Sequence, residues 1–138
     1  MSDGDEVQVY PVGIFEQESE EPQPPLLALR DDMGREMRIP IGACEGLAIN
    51  VALDQQHFPR PLTHDLALHL LDKLLAKLEH VVIDSLSEDD GCQATLRLST
   101  ARGTQVIQAR AGDGVALALR AEIPIHVTEE VLQRASAR

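Results

Sequence analysis

From Thr63 onward leucine recurs at three- and four-residue spacing: Leu66, Leu70, Leu71, Leu74, Leu75 and Leu78, with Asp65, His69, Asp72, Lys73 and Lys77 between them. That period marks an amphipathic helix and predicts one from Thr63 to about Lys77. Thr63 is the expected N-cap, and Asp65 falls in the first turn, where the helix dipole favours negative charge. Ala43–Leu53 reads as a second helix; only Glu45 and Asn50 interrupt its apolar surface, so it should be largely buried.

Elsewhere the period is two. Leu26–Arg30 and Glu36–Ile41 flank the turn signal Asp31-Asp32-Met33-Gly34 and predict a hairpin, with Met37, Ile39 and Ile41 on one face. Glu79–Leu86, Cys92–Ser99 and Thr104–Arg110 read as three antiparallel strands, turned at Glu88-Asp89-Asp90-Gly91 and Ala101-Arg102-Gly103. Val7–Phe15 is a strand interrupted by Pro11 and Gly13, which places it at a sheet edge. A short helix over Gly112–Ala121, a strand over Ile123–Val127 and a last helix capped by Thr128, running to about Ala135, complete the chain. Strands and helices mix without β-α-β alternation. The expected fold is α+β, a single domain with a mixed, largely antiparallel sheet packed with about four helices.

Composition narrows this picture. The chain has 138 residues, 43% of them apolar, enough for one core. Its aromatic residues are Tyr10, Phe15 and Phe58 alone, so the core is aliphatic and little is available for stacking on bases. Net charge is −11, with seven acids and no base in residues 1–22 and −4 over the remainder. The chain thus divides into an acidic strand and Pro/Glu-rich loop over 1–24 and a main domain over 25–138. No basic surface is evident, which disfavours tight counterion-releasing contact with nucleic acid but does not exclude a nucleic-acid substrate. No apolar run reaches the roughly 20 residues of a membrane span, and the acidic N-terminus is unlike a secretory signal, so a cytoplasmic protein with no membrane partner is expected. Cys44 and Cys92 fit no metal-ligand spacing and are expected as two buried free thiols.

Several blocks together carry a resemblance. Ile39-Pro40-Ile41-Gly42 followed by Glu45 and Ala48-Ile49, Arg60-Pro61-Leu62-Thr63-His64-Asp65, Leu78-Glu79-His80-Val81-Val82-Ile83, Ala109-Arg110 leading to Asp113, Val115–Arg120, Pro124-Ile125-His126-Val127 and Glu129-Glu130-Val131-Leu132 occur in order. From about Pro25 to Leu132 the chain resembles the bifunctional nuclease domain family. The resemblance implies an α+β fold, nuclease activity on RNA and DNA, and association through the domain as a homo-oligomer, a dimer being favoured. The chain departs from the family pattern at Pro40, where tryptophan is usual, at Gln108, an amide in place of a carboxylate, and at Gly112, in place of serine.

Phosphodiester hydrolysis commonly needs carboxylates to hold a divalent cation and a base to activate water. The acids and imidazole at the matching blocks are Glu45, His64, Asp65, Asp113, Glu129 and Glu130, with Arg110 as a phosphate clamp. In the nuclease reading Glu45, Asp65 and Asp113 hold Mg2+ or Mn2+, His64 acts as base or orienter, and no organic cofactor is needed. Each acid at a helix start is equally suited to complement the dipole, and Glu45 requires a buried partner such as Arg110 or Arg38. His57, His69, His80 and His126 read as surface or edge residues. The alternative reading is a non-catalytic oligomeric domain that binds a protein or small ligand.

Overall fold

The computed structural model describes residues 5–87 and 91–136. The expected turn residues Glu88, Asp89 and Asp90 lie outside them. In chain order the elements are β1 (Glu6–Phe15), β2 (Leu26–Asp31), β3 (Glu36–Pro40), α1 (Ala43–Leu53), α2 (Thr63–Lys73), β4 (Lys77–Ser87), β5 (Gly91–Thr100), β6 (Gly103–Arg110), α3 (Ala111–Ala121), β7 (Ile125–Thr128) and α4 (Glu129–Ser136). All seven strands form one sheet in the order β3-β2-β1-β7-β4-β5-β6. Among the described residues its neighbours pair antiparallel except β4 with β7, which run parallel. The α+β expectation holds.

The strand over residues 6–15 is not at an edge. β1 lies between β2 and β7, and the register of its pairing with β2 shifts between Pro11 and Gly13. A bulge there lets a residue without an N–H sit in an internal strand. Within the acidic segment, β1 is an integral part of the sheet. The β2–β3 hairpin turns as its sequence predicts: Asp31 Oδ1 accepts from the N–H groups of Met33 and Arg35, and Gly34 supplies the φ of 86° that the turn requires.

One face of the sheet is covered with aliphatic side chains. Val9, Leu27, Leu29, Met37, Ile39, Val81 and Ile83 are all essentially inaccessible. α3 packs on β4, β5 and β6 and touches both α1 and α2. Its approach is close, since a Cβ on Gly114 would lie 3.1 Å from both Val81 and Ala94. Cys92 is buried as expected, but Cys44 is exposed on the first turn of α1.

α2 departs most from its sequence pattern. It ends at Lys73, and Leu75 follows in the left-handed region with φ 60°. Leu78, the last member of the leucine series, is buried in β4 instead. No residue of α2 is buried. Leu68 and Leu71 pack part-buried against the core, which turns the row Leu66, Leu70 and Leu74 towards solvent.

Candidate active site

The starts of α1, α2 and α3 are built alike. Their N-caps are Gly42, Leu62 and Arg110, so Glu45, Asp65 and Asp113 are each the third residue of a helix. An acid there can reach back to the N-cap N–H and satisfy one of the donors the helix leaves unpaired. Two of the three do so. Glu45 Oε1 accepts from Gly42 N at 3.0 Å, and Asp65 Oδ2 from Leu62 N at 3.1 Å. Leu62 thus replaces Thr63 as the cap of α2, because the chain turns one residue earlier than its hydroxyl would require.

Asp113 differs. Its Oδ1 lies 2.8 Å from His64 Nε2, and its Oδ2 accepts from Arg110 Nε at 3.0 Å. With an ionised carboxylate as partner, the shared hydrogen belongs on Nε2, which leaves Nδ1 as the ring's acceptor. Arg110 reaches a second acid: its Nη2 lies 3.6 Å from Glu45 Oε2. The hydrogen bond to Asp113 and then the charges of Asp113 and Glu45 raise the Arg110 pKa further. The arginine is nonetheless 68% exposed, whereas the Glu45 side chain beside it is 5% exposed. His64, Asp113, Arg110 and Glu45 form one connected chain across three helix starts.

Glu45 owes its place to two glycines. A Cβ on Gly42 would come within 2.5 Å of Glu45 Oε2, and one on Gly112 within 2.8 Å of Glu45 Cβ. Glycine at 112, where serine is usual in the family the chain resembles, is therefore matched to the Glu45 side chain occupying that space. A cleft of about 310 Å³ opens beside it, lined by Ile41, Gly42, Glu45, Arg110 and Gly112 among others. His64 and Asp113 do not line this cleft; Asp113 on α3 holds Arg110, and His64 on α2 holds Asp113.

Asp65 stands apart from the group. Its Oδ1 accepts from Arg120 Nε at 2.8 Å, and Arg120, 8% exposed, also donates to the Ala116 carbonyl of its own helix. Sequence reasoning did not single out Arg120. Glu129 is held by Arg35, which also binds the buried Asp31, and Glu130 is exposed with no contact to the cleft residues. Gln108 donates to Thr95 on β5.

A hard divalent cation needs several oxygens around one point. Among the described residues, the one group of three His, Cys, Asp or Glu side chains with ligand atoms all within 4.8 Å of one another is Glu6, His80 and His126. Glu45, Asp65 and Asp113 do not converge in this way, and each is already bonded to an arginine or a helix cap. These residues do not fit a shared Mg2+ or Mn2+ site. His80 and His126, expected at the surface or an edge, instead lie part-buried on internal strands with their rings stacked at 4.8 Å. No local pattern marks them, because strands far apart in sequence bring them together.

Residues 27–138 match the family model of the bifunctional nuclease domain. The chain belongs to the bifunctional nuclease domain family. It is also 41% identical over 121 residues to uncharacterized proteins from two strains of Mycobacterium tuberculosis, covering 84% of this chain and 70% of each relative. His64, Asp113, Arg110 and Glu45 all fall inside the bifunctional nuclease match. β1 lies outside it, although β1 joins the two halves of the sheet.

Proposed function

We propose that this bifunctional nuclease domain cleaves phosphodiester bonds of RNA or DNA at the mouth of the Arg110 cleft. Asp113 carries the argument: unlike the two comparable helix-start acids, it directs its oxygens to an imidazole and a guanidinium rather than to a cap. Arg110 keeps Nη1 and most of its surface free to receive a phosphate oxygen, and it stabilises charge that builds there during displacement. His64, behind Asp113 at the edge of the cleft, takes the proton of the attacking hydroxyl or water on Nδ1 while Asp113 fixes the ring's orientation. The P–O bond to the leaving oxygen breaks, and that oxygen takes a proton from solvent. The chain's charge of −11 limits the contact to a few phosphates, so short or single-stranded substrates are favoured.

The test is cleavage of labelled RNA and DNA oligonucleotides by rigorously purified protein, with Mg2+, with Mn2+ and with chelator. His64→Ala should lower the rate by roughly 10²–10⁴-fold, and Arg110→Ala should weaken substrate binding. Cleavage that survives His64→Ala undiminished belongs to a contaminant or to another site, and the proposal then fails.

A second reading, a homodimer whose role is binding, has its own observation. Leu66 and Leu70 on α2, Leu74 at its C-cap, and Val106 and Ile107 on β6 are exposed, and β6 is an edge strand paired on one side only. An edge strand offers its free N–H and C=O groups to another copy of itself, and an apolar helix row gains by being covered. Light scattering should give twice the chain mass for the native protein and the chain mass for Leu70→Lys. A native monomer would remove this reading.

A further inference from the structure

The stacked histidines on the outward face of the sheet have no part in the Arg110 cleft. His126 comes from β7, His80 from β4 and Glu6 from β1, which are consecutive strands in the sheet. His80 Nε2 lies 2.7 Å from Glu6 Oε1. The His80 and His126 rings stack with centroids 4.8 Å apart and planes 25° from parallel. One ligand atom from each of the three residues lies within 4.8 Å of the other two.

A simple ion pair explains only half of this arrangement. It accounts for His80 and Glu6, but it leaves His126 Nδ1 buried without a hydrogen-bond partner. Buried polar atoms are nearly always paired, and His126, stacked on His80 and with the Val81 backbone as a further polar neighbour, has room in its pairing for a bound group. A cation would accept a lone pair from one nitrogen of each ring and offset the charge of the carboxylate.

We propose that Glu6, His80 and His126 form a binding site for a divalent transition-metal ion of the zinc type. Two imidazoles and one carboxylate favour zinc, cobalt or nickel over magnesium or calcium, whose preferred ligands are oxygens. Adjacent ligands around a tetrahedral zinc with bonds of about 2.0–2.1 Å lie about 3.3 Å apart, so the His80–Glu6 contact opens slightly when metal replaces the shared proton. The Glu6 and His80 side chains are 32% and 19% exposed, which leaves a fourth position to water or an incoming ligand. Glu6 precedes residue 27, where the family match begins, so this donor set is completed by a residue outside the family domain.

The experiment is titration of chelator-stripped protein with Co2+, read by its visible d–d absorption, followed by displacement with Zn2+. One Co2+ per chain with a tetrahedral spectrum is expected. Glu6→Gln and His126→Ala should each weaken binding at least about tenfold, whereas His69→Ala, on exposed α2, should leave it unchanged. Glu6 sits at the exposed start of β1, so its variant reports on the site without disturbing the core. Absence of saturable binding, or binding equally strong in Glu6→Gln and the native protein, would show an ion pair only and overturn the proposal. None of these readings depends on cleavage, so this inference and the Arg110 cleft fail or succeed separately.

Discussion

Arg35 shows how much one side chain can join. It donates to Asp31 on the β2–β3 turn and to Glu129 at the start of α4, 94 residues away. Burial alone would raise the Asp31 pKa, but the Arg35 hydrogen bonds and charge outweigh it and hold that carboxyl below its ordinary value; Arg35 lowers Glu129 too. Lowered carboxyl pKa values contribute stability that is whole above the unfolded-state range of about 4 and declines as pH falls below it. Denaturant unfolding across acid pH should therefore show stability falling below about pH 4, and Arg35→Gln should flatten that decline. The same scale governs Glu45. Gly112→Ala places a methyl within 2.8 Å of Glu45 Cβ, an atom that cannot swing away. It should cost about 1–3 kcal/mol in denaturant unfolding, as overpacking does, and pull Glu45 from Arg110. Glu45, Asp65 and Asp113 were legible in the sequence as helix-start acids. Arg110 was legible too as a partner for Glu45, but His64 and Arg120 were not legible as partners, since they lie 49 and 55 residues away from the acids they bind.

At the scale of elements, spacing located every helix and strand but misjudged what two of them face. Three- and four-residue spacing continues from Leu66 to Leu78 and predicts a helix to about Lys77. Yet Leu78 serves the sheet, and the chain reverses through Leu75. Leu75 is 85% exposed with φ 60°, so its side chain contributes little burial and its backbone is strained. Leu75→Gly should relieve that strain and raise stability by roughly 0.5–1 kcal/mol, measured by thermal or denaturant unfolding; a loss would mean that Leu75 is covered by a partner. The strand over residues 6–15 was misplaced for a different reason. Pro11 argues for an edge only where the ladder is regular, and the bulge removes that condition.

For the whole molecule, the sheet order matters more than any single contact. β1 is bonded to β2 on one side and to β7 on the other, so it joins the β2–β3 hairpin to the rest of the sheet. A chain beginning at residue 27 retains the entire family match and loses that join. It should be insoluble or lack cooperative unfolding, as circular dichroism and a solubility assay would show; a stable, soluble product would mean that β2 can pair with β7 directly.

That arrangement also sets the order in which the protein can form during synthesis. β1 is made well before its partner β7, which begins at Ile125. At about 5–20 residues per second, the free edge of β1 waits on the order of ten seconds for its neighbour. During that interval the side of β1 that pairs with β7 over Glu6–Val9 is open to other chains. The β7-paired stretch of β1 is only Glu6–Val9, and the strand bends just beyond it at the Pro11–Gly13 register shift, so the row left waiting is short. The shortness of the β1–β7 ladder thus limits how much edge the chain has to shield before β7 arrives.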